Sequence, residues 1–421
     1  MERNVMSKTI ADKLLSHGRI DRRGFLECMT WAGTGVLWAM KGGVAFGQET
    51  HHAGRQAGFS FVQISDSHMG FNKPANENVI GTLQEAVARI NALPSAPEFM
   101  IHTGDISHLS KPGEFDTVDQ ILKTAKVGRV FFVPGEHDVL GDNGKQYLER
   151  YGKQTKGTGW FSFDQKGVHF VGLVNVMNLK AGGLGSLGNE QLEWLKNDVK
   201  RLSSSTPLVV FAHVPLWVVY PDWGWGTEDG AQALSYLKRF GSVTVLNGHI
   251  HQTMQKVEGN ITFHTAASTA FPQPKPGSAP SPGPMKVPSE QLRSLLGLTQ
   301  VSYRKGQHAL AIVDSSLGDG EAMGASTAAG AATSMAAPGS ASQINIDNFS
   351  FSPGVSNIPA GTKVTWTNHD DIPHNVISAE KHFASPVLDT DQSFSFSFEK
   401  PGRYAYYCSI HPKMTGKVVV S

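Results

Sequence analysis

The sequence predicts an α/β layered domain followed by a small all-β sandwich, and three observations carry that reading. Between Gly58 and Asp314, short apolar runs alternate with stretches whose apolar residues recur three and four positions apart. From residue 343 onward, apolar and polar residues alternate strictly, as in half-buried strands. Between these regions lies a stretch of small residues with no apolar anchors. A chain of 421 residues is long for a single hydrophobic core, so two folded units are expected. With a formal net charge of +1 there is no basic excess of the kind that binds nucleic acid or acidic membranes. Histidine is plentiful at 17 and cysteine scarce at 2, which favours metal chemistry over disulfides.

In chain order, the first segment does not read as fold. "DRRGFL" (21–26) places two arginines before an apolar stretch too short and glycine-rich to span a bilayer. Ala45 and Gly47 follow as a small-residue cleavage pair. This resembles a twin-arginine export signal over 1–47, which implies a periplasmic protein with no stable membrane span once the signal is removed. Cys28 would leave with the signal, so Cys408 is a free thiol or a ligand. His51 and His52 read as a disordered mature N-terminus.

The α/β domain is expected over 58–315. Its buried strands are "FSFVQI", "EFMIHT", "RVFFV", "HFVGLV", "PLVVFA" and "VTVLNG"; its helices are "ANENVIGTLQEAVARINAL" and "NEQLEWLKNDVKRL". Residues 271–288 carry seven prolines and read as a long surface loop. A flexible linker is expected over 316–342, then a β domain over 343–421 with strands in "INIDNFSFSP", "KVTWTN", "SFSFSFEKPGRYAYYC" and "GKVVVS".

Carboxylates and histidines recur just after the predicted strands of the α/β domain: "SDSH" (Asp66, His68), "TGDISH" (Asp105, His108), "PGEHD" (Glu136, His137, Asp138), "AHVP" (His213) and "NGHIH" (His249, His251). α/β sheets place ligand sites outside the carboxyl ends of their strands, and neutral imidazoles with carboxylates suit divalent first-row metals. One such patch alone would be an ordinary structural histidine. The ordered set resembles the calcineurin-like metallophosphoesterases, whose pattern is D-x-H, G-D, G-N-H-D, H and G-H-x-H. That resemblance implies a four-layer αββα sandwich. It also implies one metal on Asp66, His68 and His251, a second on Glu136, His213 and His249, and Asp105 bridging them. The ions would be divalent or mixed-valence iron, manganese or zinc. A small-molecule phosphoester would be hydrolysed, with His137 and Asp105 as the catalytic residues and His137 stabilising the phosphoryl group or protonating the leaving oxygen. Glu136 departs from the family's asparagine; the added negative charge strengthens cation binding and lowers Lewis acidity. His108 stands where some members carry an aspartate or a colour-giving tyrosine, so a purple tyrosinate centre is not expected. Trp217, Tyr220, Trp223 and Trp225 either line a substrate pocket or cover a core edge, whereas His102 and His264 read as structural.

In the β domain, "CSIHPKM" places Cys408, His411 and Met414 three apart, and "DDIPHNV" places His374 upstream. Two imidazoles, a thiolate and an axial thioether are a blue-copper ligand set. The ordinary alternative is a buried free cysteine with Met414 in the core. The compact loop resembles cupredoxins of the plastocyanin and amicyanin type, which implies a Greek-key sandwich, one copper ion on His374, Cys408, His411 and Met414, electron transfer and a redox partner protein. Two rivals to a copper-tethered phosphoesterase stand beside it: a copper electron-transfer protein whose phosphoesterase scaffold no longer hydrolyses, and a cyclic-nucleotide phosphodiesterase.

Overall fold

The computed structural model describes residues 37–41, 44–48, 58–179, 184–305, 310–318, 343–411 and 413–421. The chain divides into two units, 1–56 and 57–421. Of the first, the described part is an antiparallel pair, β1 (Leu37–Lys41) and β2 (Val44–Gln48). The paired arginines, Cys28, His51 and His52 lie outside the described residues. No helix among the described residues is long and apolar enough to cross a membrane.

The second unit begins with a four-layer αββα sandwich. One sheet orders as β13-β12-β3-β4-β5, from β3 (Gly58–Ile64), β4 (Met100–His102), β5 (Val130–Phe132), β12 (Gly297–Arg304) and β13 (Ala311–Ser316). The other orders as β10-β11-β9-β8-β7-β6, from β6 (Phe161–Gln165), β7 (Val168–Gly172), β8 (Leu208–Phe211), β9 (Val243–Asn247), β10 (Met254–Glu258) and β11 (Ile261–Thr265). Strands β3, β4 and β5 are mutually parallel, as are β7, β8, β9 and β11. Phe59, Phe61, Phe99, Phe170 and Phe211 fill the space between the sheets. Each such ring contributes roughly 1.5–3 kcal/mol by leaving water.

Helices α1 (Val79–Asn91) and α2 (Pro112–Leu122) cover the first sheet through Leu83, Val87, Phe115 and Val118. Helix α3 (Lys145–Tyr151) adds Tyr147 to the same core. Helices α4 (Asn189–Val199) and α5 (Gly230–Leu237) cover the second sheet through Leu192, Leu195, Ala233 and Leu237. α1 starts four residues later than the helical stretch expected from Ala75, because the Asn78 side chain accepts the Gly81 amide at 2.9 Å and caps it there.

Residues 343–421 form two four-stranded sheets, β15-β14-β17-β19 and β16-β21-β20-β18. The strands are β14 (Gln343–Asp347), β15 (Ser350–Ser352), β16 (Val355–Ile358), β17 (Thr362–Asn368), β18 (Ile377–Ser378), β19 (Ser393–Phe398), β20 (Gly402–Tyr407) and β21 (Thr415–Val420). The chain crosses repeatedly between the sheets, and Trp366, Phe398, Tyr406 and Val418 meet in the core. "INIDNFSFSP" is two strands rather than one. Asn348 and Phe349 take left-handed φ values of 52° and 54° and turn β14 tightly into β15.

The linker expected over 316–342 needs correcting at its start. Ser316 ends β13, and Leu317 is buried with Ala86 and Leu296. Its remainder, 319–342, lies outside the described residues.

His169 on β7 ties the β6–β7 hairpin to α4, with Nδ1 2.8 Å from Asp164 and Nε2 2.9 Å from Asp198. Burial opposes its charge, but the two aspartates outweigh burial and raise its pKa above 6.5. Its contribution to stability is therefore fully present below the unfolded pKa of about 6.5 and is lost as pH rises through the higher folded value. Denaturant titrations of His169→Gln against the parent should differ most at pH 5.5 and converge by pH 9.

Candidate metal centres and the pocket between them

The parallel strands of both sheets end at one edge. Asp66 and His68 follow β3, Asp105 follows β4, Glu136 follows β5, His213 follows β8, and His249 and His251 follow β9. Five of these seven sit in the left-handed region: Asp66 (φ 53°), His68 (39°), Asp105 (50°), His249 (70°) and His251 (52°). Each such non-glycine residue costs about 1–3 kcal/mol and persists only where its surroundings enforce it. Gly135 leaves the room they need, since a Cβ there would lie 2.0 Å from Asp105 Oδ1 and 2.4 Å from its amide nitrogen.

The side chains meet in two adjoining groups, Asp66–His68–His251 and Glu136–His213–His249. In the first, His251 Nε2 is 3.3 Å from Asp66 Oδ1 and 3.2 Å from His68 Nε2. In the second, Glu136 is 3.0 Å from His213 Nε2 and 2.9 Å from His249 Nδ1. Asp105 Oδ2 stands between the groups, 3.5 Å from His68 Nε2 and 3.3 Å from His213 Nε2. Despite this crowding, the buried atoms Glu136 Oε2, His213 Nε2 and His249 Nδ1 have no hydrogen-bond partner. Buried polar atoms are rarely orphaned, and donors that converge without bonding one another fit a cation among them. Burial pulls His213 down, but Asp105 and Glu136 overcome it and hold its pKa well above 6.5. Burial likewise raises Glu136, and His249 and His213 outweigh it to hold that carboxyl well below its usual range.

Backbone carbonyls orient the rings. Nδ1 lies 2.7 Å from Thr103 O in His213, 2.6 Å from Phe271 O in His251 and 2.8 Å from His108 O in His137. Each bond fixes a ring and leaves its Nε2, not Nδ1, to face away from the backbone. Asp138 does not orient His137; it accepts the amides of Ile106, Ser107 and Gly135 and locks the loop beneath the cluster. His108 contributes mainly its carbonyl, while its ring stacks on His137 at 5.2 Å.

In the β domain, Cys408 Sγ lies 3.7 Å from His374 Nδ1 and 3.8 Å from His411 Nδ1, and the two Nδ1 atoms are 3.1 Å apart. The Asn375 and His411 amides point at the same sulfur from 3.5 and 3.4 Å. Met414 is buried on the same loop, and its carbonyl accepts the Cys408 amide at 3.1 Å. Asp370 was not singled out from sequence. It accepts His374 Nε2 at 2.8 Å, which turns Nδ1 toward the sulfur. Burial lowers the His374 pKa, but Asp370 and Cys408 prevail and push it up to about 9.

The aromatic loop divides. Trp217 packs on Phe263, whereas Trp223 and the buried Trp225 both line the recess in front of the cluster. The proline-rich stretch is more than a surface loop, since Phe271 is buried against the His251 ring at 4.7 Å and Pro282 lines the same pocket. His102 and His264 are structural as expected. Burial lowers His102 to about 3, and His264 bonds Asp314 at 3.0 Å.

A four-layer αββα sandwich with this cluster at its strand ends is a metallophosphoesterase architecture, and a β sandwich with a Cys–His–His group is a cupredoxin one. Residues 59–253 match the calcineurin-like phosphoesterase family and residues 322–420 the cupredoxin-like domain family, and the chain belongs to the cupredoxins through its β domain. Amicyanin-alpha of Methylorubrum extorquens is 40% identical over 89 residues, 20% of this chain and 75% of that protein. A probable glycerophosphodiester phosphodiesterase, GpdQ, of Arcobacter nitrofigilis is 25% identical over 224 residues, 49% of this chain and 77% of its own. The serine/threonine-protein phosphatase CPPED1 of Danio rerio is 27% identical over 228 residues, 46% and 70% respectively. These relationships support a copper ion in the β domain and, in general terms, divalent metals in the α/β domain.

Two substitutions separate the centres. Gly135→Ala should displace Asp105 and weaken metal retention in the α/β domain by about 10–100-fold, with copper unaffected. Asp370→Ala should weaken copper retention by a comparable factor, about 10–100-fold, and spare the other metals. Elemental analysis after dialysis against graded chelator reads both.

Proposed function

We propose that the chain is an exported phosphoric ester hydrolase that works through a dinuclear metal site, with its cupredoxin domain holding one copper ion for electron transfer. The observation that carries this reading is the Asp105 carboxylate, one oxygen of which lies between two complete ligand groups. Metal ions held there would polarise phosphoryl oxygens and lower the pKa of a bound water. The chain supplies the rest. His137 Nδ1 is tied to the His108 carbonyl, so Nε2 is the nitrogen that exchanges a proton with the leaving oxygen. The His137 amide donates to Asp105 Oδ1 at 3.0 Å, so the acid and the bridging carboxylate move as one piece.

Relatives named as a phosphodiesterase and as a protein phosphatase support both diesters and monoesters as substrates. The Arg22–Arg23 pair supports export to the periplasm, and the cupredoxin relationship supports a redox partner protein.

His137→Ala should lower kcat on an aryl phosphodiester by about 10²–10⁴-fold while bound metal stays constant. Equal, background-level rates in the parent, His137→Ala and Asp105→Ala would favour the reading in which the scaffold no longer hydrolyses.

A further inference from the structure

One cavity of about 330 Å³ lies in front of the cluster, and both domains build it. Glu136, Trp223 and His249 line it from the α/β domain; Phe349, His411 and Lys413 line it from the β domain. A smaller recess deeper in places His411 and Phe349 against His137 and Asp105. The His137 and His411 rings lie 6.2 Å apart, so a group of the copper loop faces the proposed leaving-group acid directly.

The two domains are held in this arrangement by exchanged side chains. Leu140 of the α/β domain packs into the β-domain core, and Ile372 of the β domain packs into the α/β core. The Ser281 hydroxyl also donates to Asn348. Phe349 is the wedge between the centres, with its ring 4.8 Å from His411 and 5.3 Å from His374. Its left-handed backbone is secured by Asp370, which accepts the Phe349 amide at 2.9 Å and also holds His374. A molecule in the cavity therefore touches a candidate copper ligand on one wall and the strand-end cluster on the other. The wall carries the Lys413 ammonium and two imidazoles. Its acids are Asp222 and Glu136, and Glu136 belongs to the metal group.

We propose that this shared cavity binds the phosphoryl group of substrate or product against His411, so that anion occupancy and the oxidation state of the copper are thermodynamically linked. The inference rests on the proposed function, and it adds the second domain to the phosphoester site. Reduction of the cupric ion by a one-electron donor removes one positive charge beside the bound anion, and linkage requires the anion to lower the copper potential reciprocally.

The test uses the full, metal-loaded chain with inorganic phosphate as probe, measured by calorimetry on ascorbate-reduced and on oxidised protein. Phosphate should bind the cupric form about fivefold or more tightly. Saturating phosphate should then lower the copper potential by about 40 mV, at 59 mV per tenfold for one electron. Lys413→Glu should weaken phosphate binding. Leu140→Glu, which places a charge in the interdomain contact, should keep the copper's visible band and abolish the linkage.

Phosphate binding with equal affinity to both copper states, or a potential shift that survives Leu140→Glu through direct anion ligation, would overturn the proposal and leave the hydrolase reading standing. Linkage without any ester hydrolysis would overturn the hydrolase reading alone. Absence of both phosphate binding and hydrolysis would overturn both.

Discussion

Three carboxylates and four imidazoles share the buried edge where two parallel sheet centres end, and the rest of the α/β domain is organised around making that tolerable. Asp66, Asp105 and Glu136 are almost wholly removed from water. Anions cannot be buried together unless cations or protons accompany them. The chain answers with imidazoles from β8 and β9, which approach the carboxylates from the opposite sheet. The left-handed backbone at five of the seven positions is a cost of the same crowding. Each strand must turn sharply the moment it ends if its side chain is to face the shared point.

The β domain solves a smaller version of this problem differently. One thiol and two imidazoles are brought within 3.8 Å by a strand end and a short loop, and a single carboxylate, Asp370, fixes the ring contributed from the other side. Asp370 also holds the Asn348 and Phe349 amides. One residue therefore sets both the geometry of the Cys–His–His group and the wedge that meets the other domain. This economy explains why an unfavourable φ is retained at a bulky residue.

Much of this was legible in the sequence because it was written in patterns of type and order. Strand ends carrying Asp, His and Glu in the order seen here pointed to the cluster that the fold assembles, and the Cys–His–Met spacing with an upstream histidine pointed to the group of Cys408, His374 and His411. The rest was not legible because it is relational. Asp370 sits beside Asp371 and reads as loop charge until its distance to His374 is known. Leu140 and Ile372 look like ordinary core residues of their own domains, and only the fold reveals that each is buried in the other's core. The orienting groups on His213, His251 and His137 are backbone carbonyls, which no residue type announces. The aromatic loop could not be resolved either, since one run of four rings divides between core and cavity.

The ligands of the two adjoining groups are unequally shielded. The His249 side chain keeps 15% of its surface accessible, whereas Asp66, His68, Asp105, His213 and His251 keep 2% or less. An ion held by Glu136, His213 and His249 would meet the cavity through an accessible ligand, while one held by Asp66, His68 and His251 would lie behind almost fully buried ones. Were both groups to hold ions, the more shielded position would exchange more slowly, and two different metals could occupy them without any difference in intrinsic selectivity.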